Sequence, residues 1–437
     1  MKSLRIIVIA LMGVTAPAFL QAADLMAIYQ EALSHDAQYR SARSAYEAAQ
    51  EKLPQGRAGF LPNINFAVTR QVQEVDTTFS SNVIQSRGMV LSATQPLFRM
   101  QNIIIYQQSK IEVSKADAQF ISAGQDLILR VSQAYFDVLD AQIDVEVVEA
   151  QKKAILIQLE QAKRNFEVGV ATIVDTNEAQ ARYDLTVSQE IAARNALEIR
   201  KRTLQSIIDR LPDHLSGARE IASDLTNLKY ANMDEWVQVA EEKNYTLKTQ
   251  QATYESAQQN VKKIWAQHYP TVDLVAQYSD QTGVGAAITG RGIDLTSKSI
   301  GIQFNLPVFQ GFSVQSQVRE ALAQQNQALH DLENTRRNIM LQVRQQYLNV
   351  TNGIAQVTAL KQALKSSQTQ LDSTVLGQKV GVRTEVDVLN AQQQMYAAKR
   401  DLSKAYHGYL LARLRLSAEA GELDEDMLTQ VNTMLVK

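Results

Sequence analysis

The feature that most constrains this chain is a seam of small and apolar residues recurring in steps of four and three. It runs through Leu127, Val131, Ala134, Val138, Ala141, Val145 and Val148, and resumes at Ile155, Leu159, Ala162 and Phe166. A 3.5-residue repeat keeps one stripe of a helix against a partner, so the spacing predicts a coiled coil inside a helix from about Gln101 to Glu167. At about 1.5 Å per residue, roughly 67 residues make a rod of about 100 Å. The run breaks at Val168-Gly169-Val170-Ala171-Thr172, and a second helical run returns to about Arg210. An ordinary globular domain has no use for such a rod. It has to span something.

The device occurs twice. Val343, Tyr347, Val350, Ile354, Val357, Leu364, Leu371 and Val375 form a second seam, and Val380-Gly381-Val382-Arg383-Thr384 a second break. Aligning the Val-Gly pairs places Thr172 on Thr384, Val174 on Val386, Asp175 on Asp387 and Ala179-Gln180 on Ala391-Gln392. Upstream, Tyr46 matches Tyr254, Pro62 matches Pro270, Pro96 matches Pro307 and Phe98 matches Phe309. So little drift between anchors marks an internal duplication.

Lys2 and Arg5 precede an apolar run from Ile6 to Leu20, which reads as a signal peptide over 1–22 and an exported product. The chain has no cysteine, which excludes disulfides and thiolate metal sites. Its net charge of −2 argues against a nucleic-acid partner. After the signal no apolar run is long enough for a spanning helix, so entry into a membrane requires a closed barrel. Asp24 to about Gln55 reads as one helix, with Leu25, Ile28, Ala32, Tyr39, Ala42 and Tyr46 on its buried face.

From Asn63 the period becomes two. Ile64, Phe66, Val68 and Val72 share one face against Asn63, Asn65, Thr69, Gln71 and Gln73; Met89, Leu91, Ala93 and Leu97 alternate with Gly88, Ser92 and Thr94, with Val90 out of place. The second half repeats this through Val272, Leu274, Ala276 and Tyr278, then Ile300, Ile302, Phe304 and Leu306. A polar loop, Asp76 to Asn82, and a glycine-bearing loop with Gly283, Gly285, Gly290 and Gly292 are expected between the strands. Each strand has about the 9 to 11 residues that a tilted strand needs to cross a bilayer. Soluble hairpins packed on the helices would show the same alternation. Four strands cannot close a barrel, and polar inner faces suit a wet pore wider than eight strands allow. Pooling the strands of three copies, about twelve in all, is the natural solution.

The duplicated plan, the strand ends Gln95-Pro96-Leu97-Phe98 and Pro307-Val308-Phe309, and the stretch Val380 to Gln392 carry a resemblance. The chain resembles the TolC-like outer-membrane channel-tunnel proteins over about residues 23 to 420. The likeness implies a homotrimer: a 12-stranded outer-membrane β-barrel in lipid, continuous with a long α-helical coiled-coil tunnel across the periplasm. It implies a periplasmic adaptor and an inner-membrane transporter of ABC or RND type as partners, no cofactor and no enzymatic activity. The family guards its periplasmic entrance with Arg-x-x-x-Asp-x-x-Asp. Here Arg383 and Asp387 match but Asn390 stands last, which implies a single carboxylate ring and cation block at Asp387. Of the family's gate partners Asp175 matches, whereas Val174 replaces Thr and Gln378 replaces Tyr. Gly169 and Gly381 match the tip turns that meet the adaptor.

Plainer roles sit beside these. Thr384-Glu385-Val386-Asp387 and Thr172-Ile173-Val174-Asp175 both have capping-box spacing. Three like charges brought to one axis would instead raise carboxylate pKa values or hold cations. The two glycines allow a turn with positive φ. His35, His214, His268, His330 and His407 lack metal-ligand spacing and read as solvated; no nucleophile–base set or phosphate loop emerges. Trp236 and Trp265 read as packing residues. Phe60, Phe98, Tyr269 and Phe309 are either a membrane-boundary belt or junction packing. The expected organisation is a first repeat over 23–211, a linker over 212–232, a second repeat over 233–418 and a tail over 419–437 without functional signal. Linker and tail form a belt around the rod. A secreted or periplasmic coiled-coil scaffold or adhesin is the alternative.

Overall fold

The computed structural model describes residues 23–77, 80–211, 215–217, 225, 228–284 and 293–436. The signal segment 1–22, Thr78 and Phe79, Pro212 to His214, and Gly285, Gly290 and Gly292 lie outside the described residues.

The N-terminal helix is three helices, not one: α1 (Leu25–His35), α2 (Ala37–Gln50) and α3 (Lys52–Ala58). Asp36 has an extended backbone and its side chain accepts from the Tyr39 amide at 2.6 Å, so it ends α1 and caps α2. Pro54 cannot donate to Gln50 and crowds its carbonyl, which separates α3 from α2. Leu25, Ile28 and Ala32 are buried as expected; Tyr39, Ala42 and Tyr46 are only half-buried, and both tyrosines stack on Phe120.

Two helices run the length of the molecule. After strands β1 (Asn63–Thr77) and β2 (Ser80–Phe98) comes α4 (Met100–Glu167), which turns into α5 (Ile173–Ile208). Then α6 (Met233–Lys243) and α7 (Tyr245–Trp265) lead through β3 (Thr271–Val284) and β4 (Ile293–Asn305). Next come α8 (Ser313–Lys379), α9 (Glu385–Glu419) and a closing α10 (Glu425–Val436). Near the sheet the helices pack side by side in the order α2/α3, α4, α7, α8; toward the far end the order is α5, α4, α9, α8. The result is a single-layer wall whose two margins are free.

The seams explain its coherence. Val343, Val350 and Val357, each seven apart, are all fully buried. Leu127, Val131, Ala134, Val138 and Ala141 are buried too, but below them the buried positions become Val147, Ala154 and Leu159, while Phe166 is 44% exposed. There α4 faces α5 on one side and α9 on the other, so it needs two narrow stripes rather than one. Midway along the rod α1, α6 and α10 add a second layer around Tyr135, Trp236, Tyr409 and Leu428. The Tyr135 hydroxyl ties the linker to α4, donating to the Ser216 carbonyl at 2.6 Å. The tail is therefore part of the core: Leu428, Val431 and Leu435 are fully buried. Glu422 joins Lys229 of the linker at 2.8 Å to Lys243 of α6 at 2.7 Å.

The four strands form one antiparallel sheet in chain order. The expected polar loop at Asp76 to Asn82 is mostly ladder, because Thr77 pairs with Ser80. The strands have 15, 19, 14 and 13 residues, longer than a bilayer requires. Register sorts the faces. Ile64, Ala93, Ala276 and Ile300 lie in one row, and Phe66, Leu91 and Tyr278 in the next. On the other face Asn65, Ser92, Gln277 and Ser299 form a row. The out-of-place Val90 falls on this polar face, beside Ala67 and Ser279. On β2 the apolar face runs from Phe98 to Met89, which faces Val68 of β1, and the next row up brings Arg70 against Arg87; on β3 and β4 it runs from Val272 and Phe304 to Tyr278 and Ile300, above which Lys298 and Asp280 enter the same face. Along β2 that band matches the height of a tilted membrane strand, and the rest of the strand projects beyond it.

Candidate functional site

Two features qualify: the sheet with its helical wall, and the paired helix ends farthest from it. Among the described residues nothing covers the sheet's apolar face. Phe66 is 66% exposed, Ile300 77% and Ile302 70%. Contiguous apolar surface of this kind marks an interface or a membrane face. Margins β1 and β4 leave unpaired backbone groups, which neither lipid nor a stable edge tolerates. No described helix is long and apolar enough to cross a membrane, so the sheet is the part that suits lipid. Phe60, Phe98, Tyr269 and Phe309 are all partly exposed at its base, while Phe60 also packs edge-on against Tyr106 of α4. There Arg99 grips Asp273 through two contacts of 2.8 Å, locking the foot of β2 to the foot of β3.

At the far end the two turns are built alike. Gly169 and Gly381 have φ of 79° and 81°, and a Cβ added to either would meet nothing within 4 Å. Their requirement is conformation rather than room. In the first turn the Asn165 carbonyl accepts from the Val170 and Ala171 amides; in the second the Gly377 carbonyl accepts from Val382 and Arg383. Each turn feeds a complete capping box. Asp175 Oδ2 accepts from the Thr172 amide and hydroxyl, both at 2.8 Å, and Asp387 Oδ2 from those of Thr384, both at 2.9 Å. These bonds hold both carboxyls below the ordinary aspartate range, with Arg383 adding a smaller pull on Asp387.

Arg383, Gln378, Gly381 and Asp387 fall together in the second turn, with Asn390 exposed one helical turn further along α9. Asp175 and Gly169 form the first turn, and among the described residues no ion pair joins Asp175 to Arg383. Val168, Val170, Val380 and Val382, at 68–75% exposure, crown the two turns. Gly377 escaped sequence reasoning: a Cβ there would lie 2.8 Å from Arg383 Cγ, so the arginine stem lies across a glycine. Two other expectations change. His407 is buried, stacked on Phe136 and bonded through Nδ1 to Asp140 at 2.7 Å, because α9 is pressed against α4 at that level. Trp236 is a core residue, but Trp265 is 51% exposed.

The sequence profile of the outer membrane efflux protein family matches residues 28–209 and 236–422. The chain is 30% identical to the outer membrane protein TolC of Escherichia coli over 452 residues, covering all of this chain and 90% of that one. It is 29% identical to the alkaline protease secretion protein AprF of Pseudomonas aeruginosa, covering 91% and 84%. Among solved structures, the Campylobacter jejuni CmeC outer membrane channel superposes with a TM-score of 0.76 at 14% identity, over 94% and 89% of the two chains. One sheet with a polar face and an exposed apolar face, carried on a single-layer wall of long helices, is the fold of an outer-membrane channel. The chain belongs to the outer membrane efflux protein family. It is a channel of the outer membrane, not an enzyme, and the scaffold or adhesin alternative finds no support.

Proposed function

We propose that three copies close side by side into one conduit for export across the periplasm and outer membrane. The observation that carries this is the coincidence of free margins. Strands β1 and β4 end the sheet, α2/α3 and α8 end the wall near it, and α5 and α8 end the wall beyond. In an antiparallel four-stranded sheet the first and last strands run oppositely, so β4 of one copy can pair antiparallel with β1 of the next. Three copies give a barrel whose polar face encloses water, where two would leave it filled by side chains.

The exposed valines around Gly169 and Gly381 suit a periplasmic adaptor, and an inner-membrane transporter supplies the energy. The likeness to a protease-secretion channel favours polypeptides among the cargo, with small molecules as a second class. Around the axis Asp387 forms the entrance constriction with Asn390 beyond it; Arg383, Gln378 and Asp175 restrain the closed turn. The test is purification in detergent with mass determination, followed by conductance in a planar bilayer. A three-copy particle that conducts is the expected result. A mature protein that is monomeric and soluble without detergent refutes the proposal.

A further inference from the structure

At the foot of the sheet α4 and α7 part to leave a crevice of about 380 Å³, walled by Met100, Ile104, Val261, Trp265 and Tyr269, with the exposed Lys262 also lining it. Its composition is odd for a water-filled groove. Trp265 is 51% exposed and Tyr269 45%, the indole resting only edge-on against His268. Among the described residues Lys262 has no ion pair, unlike many of the cations on the rod. An apolar slot with two amphipathic aromatics and one free ammonium is chemically matched to an anionic amphiphile.

Its position says which one. Met100 comes two residues after β2 ends at Phe98, and Tyr269 two before β3 begins. The slot therefore sits directly beneath the Phe98–Val272–Phe304 row, where the apolar band stops and headgroups begin. It also opens outward. Gln107 on its wall and Gln142 are five heptads apart on α4, so in a coil with a 3.5-residue repeat they share one face. Gln142 faces the groove beneath linker residues Leu215 and Gly217, on the side that carries the extra helical layer rather than the lumen. Because α4 and α7 are inner members of the wall, copies that join at its margins leave the slot open.

We propose that this crevice binds one glycerophospholipid of the periplasmic leaflet, its anionic headgroup on Lys262 and the start of one acyl chain against Trp265, Ile104 and Met100. This rests on the closed-ring reading above. The chain has two tryptophans, and Trp236 is only 2% exposed, so Trp265 is a natural reporter. The assembled channel is reconstituted in phosphatidylcholine vesicles containing increasing fractions of lipid brominated on its acyl chains, either phosphatidylglycerol or phosphatidylcholine. Tryptophan quenching and conductance are read on the same vesicles. Phosphatidylglycerol is expected to quench at a mole fraction about fivefold lower, the factor that one cation beside an anionic headgroup contributes. Lys262→Gln should remove that preference, Trp265→Phe should remove the quenching, and added inorganic phosphate should leave it unchanged. Identical curves for the two lipids, a preference that survives Lys262→Gln, displacement by inorganic phosphate, or no quenching beyond the Trp265→Phe background would each overturn the site. Normal conductance in such a sample confines the failure to the lipid site; absent conductance refutes the ring, and the site with it.

Discussion

Asp36 performs two tasks that substitution can separate. Its carboxylate caps α2 through the Tyr39 amide at 2.6 Å and holds Arg130 of α4 at 2.9 and 3.0 Å, with only 4% of the residue exposed. Losing an N-cap acceptor costs about 1 kcal/mol. Losing hydrogen bonds to a charged group costs about 1.5 to 3 kcal/mol. The lower figure applies here, because the Arg130 side chain is 27% exposed and keeps Asp126 at 2.7 Å. Asp36→Ala should therefore weaken the docking of α2 by about 2.5 kcal/mol, nearly two powers of ten in a local opening constant. Asp36→Asn keeps an acceptor for Tyr39 and should cost about 1.5 kcal/mol, roughly tenfold. Hydrogen exchange over residues 37–43 in detergent reads both, since local opening governs exchange there. The hydrogen bonds from Arg130 hold the Asp36 carboxyl below its ordinary value, against the opposing pull of burial. A depressed carboxylate contributes fully above the ordinary aspartate pKa of about 3.9 and loses its contribution as pH falls through the lower folded value. A protonated carboxyl still accepts from the Tyr39 amide, so wild-type protection should converge on that of Asp36→Asn in acid and not in base. Equal losses for Ala and Asn, or less than threefold for both, would refute the division of labour.

Two further outcomes are expected. Asp387→Asn keeps an acceptor for Thr384 but removes the charge, so the multivalent-cation concentration for half-block of conductance should rise about tenfold; Asp175→Asn, in the matching box, should leave block unchanged, and equal effects would reduce both residues to caps. Gly421 has φ of 73°, and a Cβ there would lie 2.5 Å from the Lys243 carbonyl oxygen. Gly421→Ala should cost about 3 kcal/mol, against about 1 for Gly169→Ala, which meets no neighbour; similar shifts in thermal unfolding would show that only the dihedral matters.

The long helices, the two turns and the two-faced strands were legible because each rests on a local period or a local break. The Asp36 break was not. Asp36-Ala37-Gln38-Tyr39 has a capping residue but no acid or glutamine at the third helical position, so nothing separated it from a solvated aspartate within a longer helix. Leu428, Val431 and Leu435 have helical spacing and the acids before them open a helix, but the spacing of one short segment does not say which surface it packs on. The His407–Asp140 contact spans 267 positions and the Arg99–Asp273 contact 174. Pairs so distant leave no pattern in one sequence, because fold topology alone brings them together.

The duplication itself shows where the turns diverge. Aligning Gly169 with Gly381 sets Asn165 against Gly377 and Ala171 against Arg383. The backbone bonds are the same in both turns, since each carbonyl at that first position accepts two amides from beyond the glycine. The side chains are exchanged: the first turn has bulk at Asn165 and almost none at Ala171, and the second has none at Gly377 and a long cation at Arg383. A Cβ on Gly377 would crowd the Arg383 stem, so the missing atom is what lets the second turn carry a charge without altering its backbone. The chemistry of the turns can therefore differ between repeats whose folds do not. The positive charge that flanks Asp387 belongs to the second turn alone, and Asp175 caps its helix beside an alanine.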